Sequence, residues 1–145
     1  MRAGSLNLTL AMSALALVLA TGMPATADSV TFKTALKGAS EVPPNDSKGT
    51  GTVDATLDAA AKTLSWTITY SGLSGDATAA HFHGPADPGK NAPPVVPIKG
   101  KLASPIKGTS TLSDAQAAEL QAGKWYFNVH SAKFPDGEIR GQLVK

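Results

Sequence analysis

The stretch Thr63-Leu64-Ser65-Trp66-Thr67-Ile68-Thr69-Tyr70 alternates strictly: Leu64, Trp66, Ile68 and Tyr70 are large and apolar or aromatic, and every residue between them carries a hydroxyl. Period two in β-branched and aromatic residues marks a strand with one face in a core and the other wet. Val53, Ala55 and Leu57 repeat the pattern upstream, and Asp58 to Lys62 suits the loop of a hairpin joining the two segments. Downstream, Trp125, Phe127 and Val129 point one way and Tyr126, Asn128 and His130 the other, so Lys124 to His130 is a strand. A Pro135-Asp136-Gly137 turn leads into another strand, Glu138 to Val144. Val30 to Leu36, Thr78 to His83 and Ile106 to Leu112 supply further strands. One helix of about ten residues interrupts them, with Ser113 as N-cap, Gln116 closing a capping box and Gly123 as the stop. The stretch from Pro85 to Pro97 is too rich in proline for a central strand and is expected to be a surface loop. Short strands separated by Gly/Pro turns predict an all-β, antiparallel sandwich or barrel with one short helix, and neither an internal repeat nor a second domain is visible.

The N-terminus has the pattern of a processed export signal. Arg2 is basic, Leu8 to Ala20 is apolar apart from Thr9 and Ser13, and Ala25-Thr26-Ala27 offers the small-x-small motif of a cleavage site. The apolar run is shorter than the roughly 20 residues a membrane-crossing helix needs. Residues 1–27 are therefore expected to be a signal peptide and residues 28–145 the mature domain, periplasmic or secreted and free of the membrane. That domain carries 12 basic and 11 acidic side chains, and the net charge of the whole chain is +2, which excludes a nucleic-acid partner read from charge. Cysteine is absent and all three methionines, Met1, Met12 and Met23, fall in the signal. A metal held by residues 28–145 must be bound through nitrogen or oxygen.

Three histidines carry the chemistry. His81 and His83 are two apart, so in a strand they share a face while Phe82 points into the core. His130 lies on the polar face of its own strand and is the candidate third imidazole, with Asn128, Tyr126 or Glu138 as groups that orient the rings. Asp87, Asp136 and Glu138 are nearby oxygen donors. The same pattern also describes half-exposed histidines with no ligand, and it leaves open whether the strands pair so as to bring the rings together. Glu41 reads as a hydrogen-bond acceptor in a loop, and Arg140 as a solvated partner of Glu138 or Asp136. No Gly-x-Ser-x-Gly elbow or phosphate loop is present.

The segments Leu36 to Pro44, Tyr70 to Gly75, Ala79 to Ala86, Gly123 to His130 and Phe134 to Leu143 resemble the chordin-like (CHRD) domain family in sequence and in order along the chain. The resemblance implies a Greek-key sandwich similar in outline to copper-zinc superoxide dismutase and a bacterial exported protein. It places His81, His83 and His130 at the family's histidine positions, and some bacterial members are associated with copper. The expectation is a metal-binding protein for copper buffering, transport or tolerance, with zinc as the alternative ion. The competing expectation is a non-enzymatic extracellular module that binds protein partners and whose histidines are incidental. Three imidazoles also leave an open coordination position, so catalysis stays open.

Overall fold

The computed structural model describes residues 28–145, and the expected signal peptide, residues 1–27, lies outside the described residues. Eight strands form one antiparallel sheet: β1 (Ser29–Lys37), β2 (Thr50–Asp58), β3 (Thr63–Ser71), β4 (Ala77–His83), β5 (Pro94–Pro97), β6 (Ile106–Thr111), β7 (Tyr126–Ser131) and β8 (Ile139–Gln142). Among the described residues there is one α-helix, α1 (Asp114–Gln121), between β6 and β7. The order across the sheet is β5-β4-β7-β8-β1-β2-β3-β6. The chain thus runs a β1-β2-β3 meander, crosses to the far side for β4 and β5, returns for β6, and ends by inserting β7 and β8 between the two halves. The sheet curls until its edges β5 and β6 face each other over Trp66, giving a nearly closed barrel.

Alternation in the sequence is what fills this barrel. Leu64, Trp66 and Ile68 of β3 join Val53, Ala55 and Leu57 of β2, Phe32 and Leu36 of β1, and Phe82, Phe127 and Val129 in one buried cluster. Phe82 is its hub, edge-on to Trp66 at 5.1 Å and to Phe127 at 4.7 Å between ring centroids. Each such side chain contributes roughly 1.5–3 kcal/mol on full burial. Gly108 of β6 is required here, because a Cβ would sit 2.7 Å from Cζ2 of the Trp66 indole. The capping box on Ser113 and Gln116 forms, and Gly123 follows the helix with φ 72°.

Two expectations need correction. Part of the proline-rich stretch is a strand, since Pro94 to Pro97 forms β5; at a sheet edge a missing N–H need not break any ladder, which is where proline is tolerated. The polar face of β7 is also not wet. All six of its residues are buried, because loops close over the outer face of β4, β7 and β8. Asn45 donates to the carbonyls of Gly137 and Glu138, and Asn91 donates to that of Val42, stitching those loops together.

Candidate metal centre

Strand pairing decides whether the histidines meet. β4 and β7 are neighbours, with Ala79 opposite His130, His81 opposite Asn128 and His83 opposite Tyr126. Because i and i+2 share a face, the rings of His81, His83 and His130 and the amide of Asn128 all stand on the outer side of this pair, backed by Phe82 and Phe127 inside the barrel. One ligand nitrogen from each of the three histidines lies within 4.8 Å of the others. His81 Nδ1 is 3.1 Å from His130 Nε2. His83 and His130 are buried and His81 is half-buried, so the cluster opens to solvent on the His81 side.

Backbone carbonyls set which nitrogen each buried ring offers. His83 Nδ1–H donates to Ala92 O at 2.9 Å and His130 Nδ1–H donates to Pro135 O at 2.8 Å. A carbonyl only accepts, so in the neutral rings both Nε2 atoms carry lone pairs, and these face the cluster. Tyr126 stacks on His83 at 4.6 Å with the planes 6° apart, and its hydroxyl donates to the same Ala92 carbonyl. Arg140 covers the other part of this stack, its guanidinium 3.4 Å from the Tyr126 centroid, and donates to Asn91 Oδ1. The ring of His83 is therefore fixed in plane and in tautomer.

Burial dominates the electrostatics. Desolvation holds the pKa of His81 below the usual imidazole value, with further lowering by His130 and His83. For His83 desolvation again lowers it most, against hydrogen bonds to Ala92 and Asn128 that raise it, while His130 and Arg140 lower it. Neutral, ligand-competent imidazoles are thereby favoured at neutral pH. Glu41 lies behind Asn128, buried, with Oε1 lacking a hydrogen-bond partner among the described residues. Burial pushes its carboxyl up to about 7, against Arg140 and the Asn128 amide, which pull it down.

The structure therefore brings together His81, His83 and His130, with Asn128 and Tyr126 against them. It does not bring in the acids. Glu138 is fully buried but turned away, accepting from Ser47 Oγ, Ser74 N and Ser74 Oγ. Asp87 pairs with Lys124. Arg140, expected on a solvated surface, is instead 2% exposed and stacked on Tyr126. The carbonyls of Ala92 and Pro135 escaped the sequence reading, because a backbone acceptor has no residue signature. Glu41, read as a loop hydrogen-bond acceptor, is instead buried with Oε1 unpartnered, and that burial escaped because its cover comes from loops distant in sequence.

The donor set suits a borderline metal ion: three imidazole nitrogens, two of them on rings with fixed tautomers, no sulfur among residues 28–145, and an open side. Fold and cluster together define the class, an antiparallel β-barrel domain with a partly buried three-histidine cluster on its outer face. The family model of the CHRD domain matches residues 32–143, nearly the whole described chain, and the protein belongs to that family. No curated protein and no solved structure matches it.

Proposed function

We propose that this protein binds copper through His81, His83 and His130, outside the cytoplasm, and serves in copper buffering, transport or tolerance. The observation that carries the reading is the convergence of three imidazole nitrogens within 4.8 Å, two of them on rings oriented by backbone carbonyls. The two carbonyls take the Nδ1–H groups and so turn both Nε2 lone pairs toward the cluster. Copper is preferred to zinc because copper(II) heads the divalent affinity series at nitrogen sites, and the signal-like residues 1–27 favour an exported location. Bound copper would supply a one-electron redox centre. The chain's own residues hold the rings neutral, fix their planes through Tyr126 and Arg140, and leave the His81 side open for exchange. No helix among the described residues is long and apolar enough to cross a membrane.

The test is titration of the purified protein with Cu(II) and Zn(II), followed by calorimetry and electron spin resonance. One Cu(II) per chain is expected, bound tighter than zinc and with nitrogen hyperfine structure from imidazole. Replacing all three histidines by alanine should abolish binding while leaving the β spectrum intact. Stoichiometric copper bound by that variant at undiminished affinity would overturn the reading.

A further inference from the structure

Asn128 Oδ1 stands 2.9 Å from His83 Nε2 and 3.0 Å from His130 Nε2, and His130 Nε2 is in turn 3.1 Å from His81 Nδ1. Donors about 2.0–2.1 Å from a common ion stand roughly 2.9–3.4 Å apart when they subtend right to tetrahedral angles. The three short separations fall in or near that interval. Two of them, those to Asn128 Oδ1, also lack a proton. Both Nε2 atoms are the lone-pair ends of rings whose Nδ1–H groups are committed to Ala92 and Pro135, and a carboxamide oxygen only accepts. Acceptor thus faces acceptor twice inside a buried site, which is unfavourable unless a cation joins them.

Turning the amide over would move Oδ1 from the imidazoles to the Glu41 carboxyl oxygens. The Asn128 Nδ2 and the Glu41 carboxyl crowd the same point beside Gly137, where a Cβ would lie 2.7 Å from Nδ2 and within clashing distance of Glu41 Oε1. A flipped amide would set Oδ1 against the carboxylate. Asn128 is 3% exposed, so water does not compete for either end.

We infer that the Asn128 carboxamide oxygen is a fourth metal donor, making the centre three nitrogens and one oxygen and biasing it toward Cu(II) over Cu(I). This rests on the copper reading above. An amide oxygen is a hard donor, so it strengthens the hold on the harder, more charged ion and adds little for the soft monovalent one.

The experiment compares the intact protein with Asn128→Leu, Asn128→Asp and the triple histidine-to-alanine variant. Cu(II) and Cu(I) affinities are measured by competition with chelators, and the Cu(II) spin-resonance spectrum is recorded. Asn128→Leu should weaken Cu(II) binding about tenfold or more, leave Cu(I) within about threefold, and alter the g and hyperfine values. Each tenfold of differential loss raises the reduction potential by about 59 mV. If Asn128→Leu fails to fold, Asn128→Asp decides: it keeps an oxygen at the same reach but adds charge, so it should still bind Cu(II) with a changed spectrum. An unchanged affinity and spectrum in the leucine variant, or an unchanged spectrum in the aspartate variant, overturns the fourth donor while the copper site stands. Copper retained by the triple alanine variant overturns both.

Discussion

A buried imidazole and a buried carboxyl pull stability in opposite directions with pH, and this site holds both. His81 and His83 have folded pKa values below the unfolded value of about 6.5, so below that pH the unfolded chain takes up more protons and the fold loses stability. Glu41 behaves inversely. Its folded pKa is raised to about 7, so the native state binds the extra proton, and stability is lost as pH climbs from about 4.5 through 7. Glu41→Gln keeps the shape of the side chain but cannot ionise. Urea denaturation of the apo protein should find this variant more stable than the parent at pH 8, by about 1–3 kcal/mol, with the difference vanishing near pH 4. A difference constant across that range would mean that Glu41 ionisation is not coupled to folding. For the metal, proton competition begins only as the imidazoles charge, so Cu(II) affinity is expected to stay level from pH 8 to about 6.5 and to fall steeply below it, as read by titration across buffers.

At the scale of elements, what was legible in sequence was whatever a single strand or helix decides alone. The hydroxyl-apolar alternation of Thr63 to Tyr70 specified β3 because one face had to be buried, and the Ser113/Gln116 box specified the start of α1 because it satisfies amides within one turn. Ser113→Ala should lower stability by about 1 kcal/mol in a denaturant melt. His81 and His83 were likewise legible as same-face residues and His130 as a polar-face residue of its own strand, whereas their convergence waited on the pairing of β4 with β7. What escaped depends on elements remote in the chain. Prolines hid β5, which exists because β4 offers it a ladder, and the outer face of β7 reads as wet until the loops carrying Asn45 and Asn91 are placed over it. Gly137 is the sharpest case. Part of a turn in the sequence, it has φ 133° and lies so close to Glu41 and Asn128 that any Cβ collides with them. Gly137→Ala should both destabilise the fold, by roughly 1–3 kcal/mol, and weaken copper by displacing the Asn128 amide, a coupling that unfolding and metal titration of one variant would reveal.

At the scale of the molecule, the barrel is left open at one seam, and the proposed metal ties together parts of the chain that folding alone brings near. The seam between β5 and β6 is blunted: Pro97 has no N–H to offer, and Lys99 and Lys107 flank the groove, which discourages a second sheet from adding there. The histidines are on adjacent strands but 49 positions apart between His81 and His130. The unfolded chain cannot present them together, so an ion that needs all three binds the native state almost exclusively. Its binding energy is then stability, growing as the logarithm of free metal over Kd and reaching about 2.7 kcal/mol at a hundredfold excess. For a domain of this size that corresponds to a rise in Tm on the order of 10 °C. Thermal melts with buffered Cu(II) should show the rise in the parent, a smaller one in Asn128→Leu and none in the triple alanine variant. Because the ligands come from β4 and β7 in the middle of one half of the sheet, the whole transition should move as a unit. A copper-induced shift confined to a separate early phase would place the ion on a locally unfolding segment instead of on this strand pair.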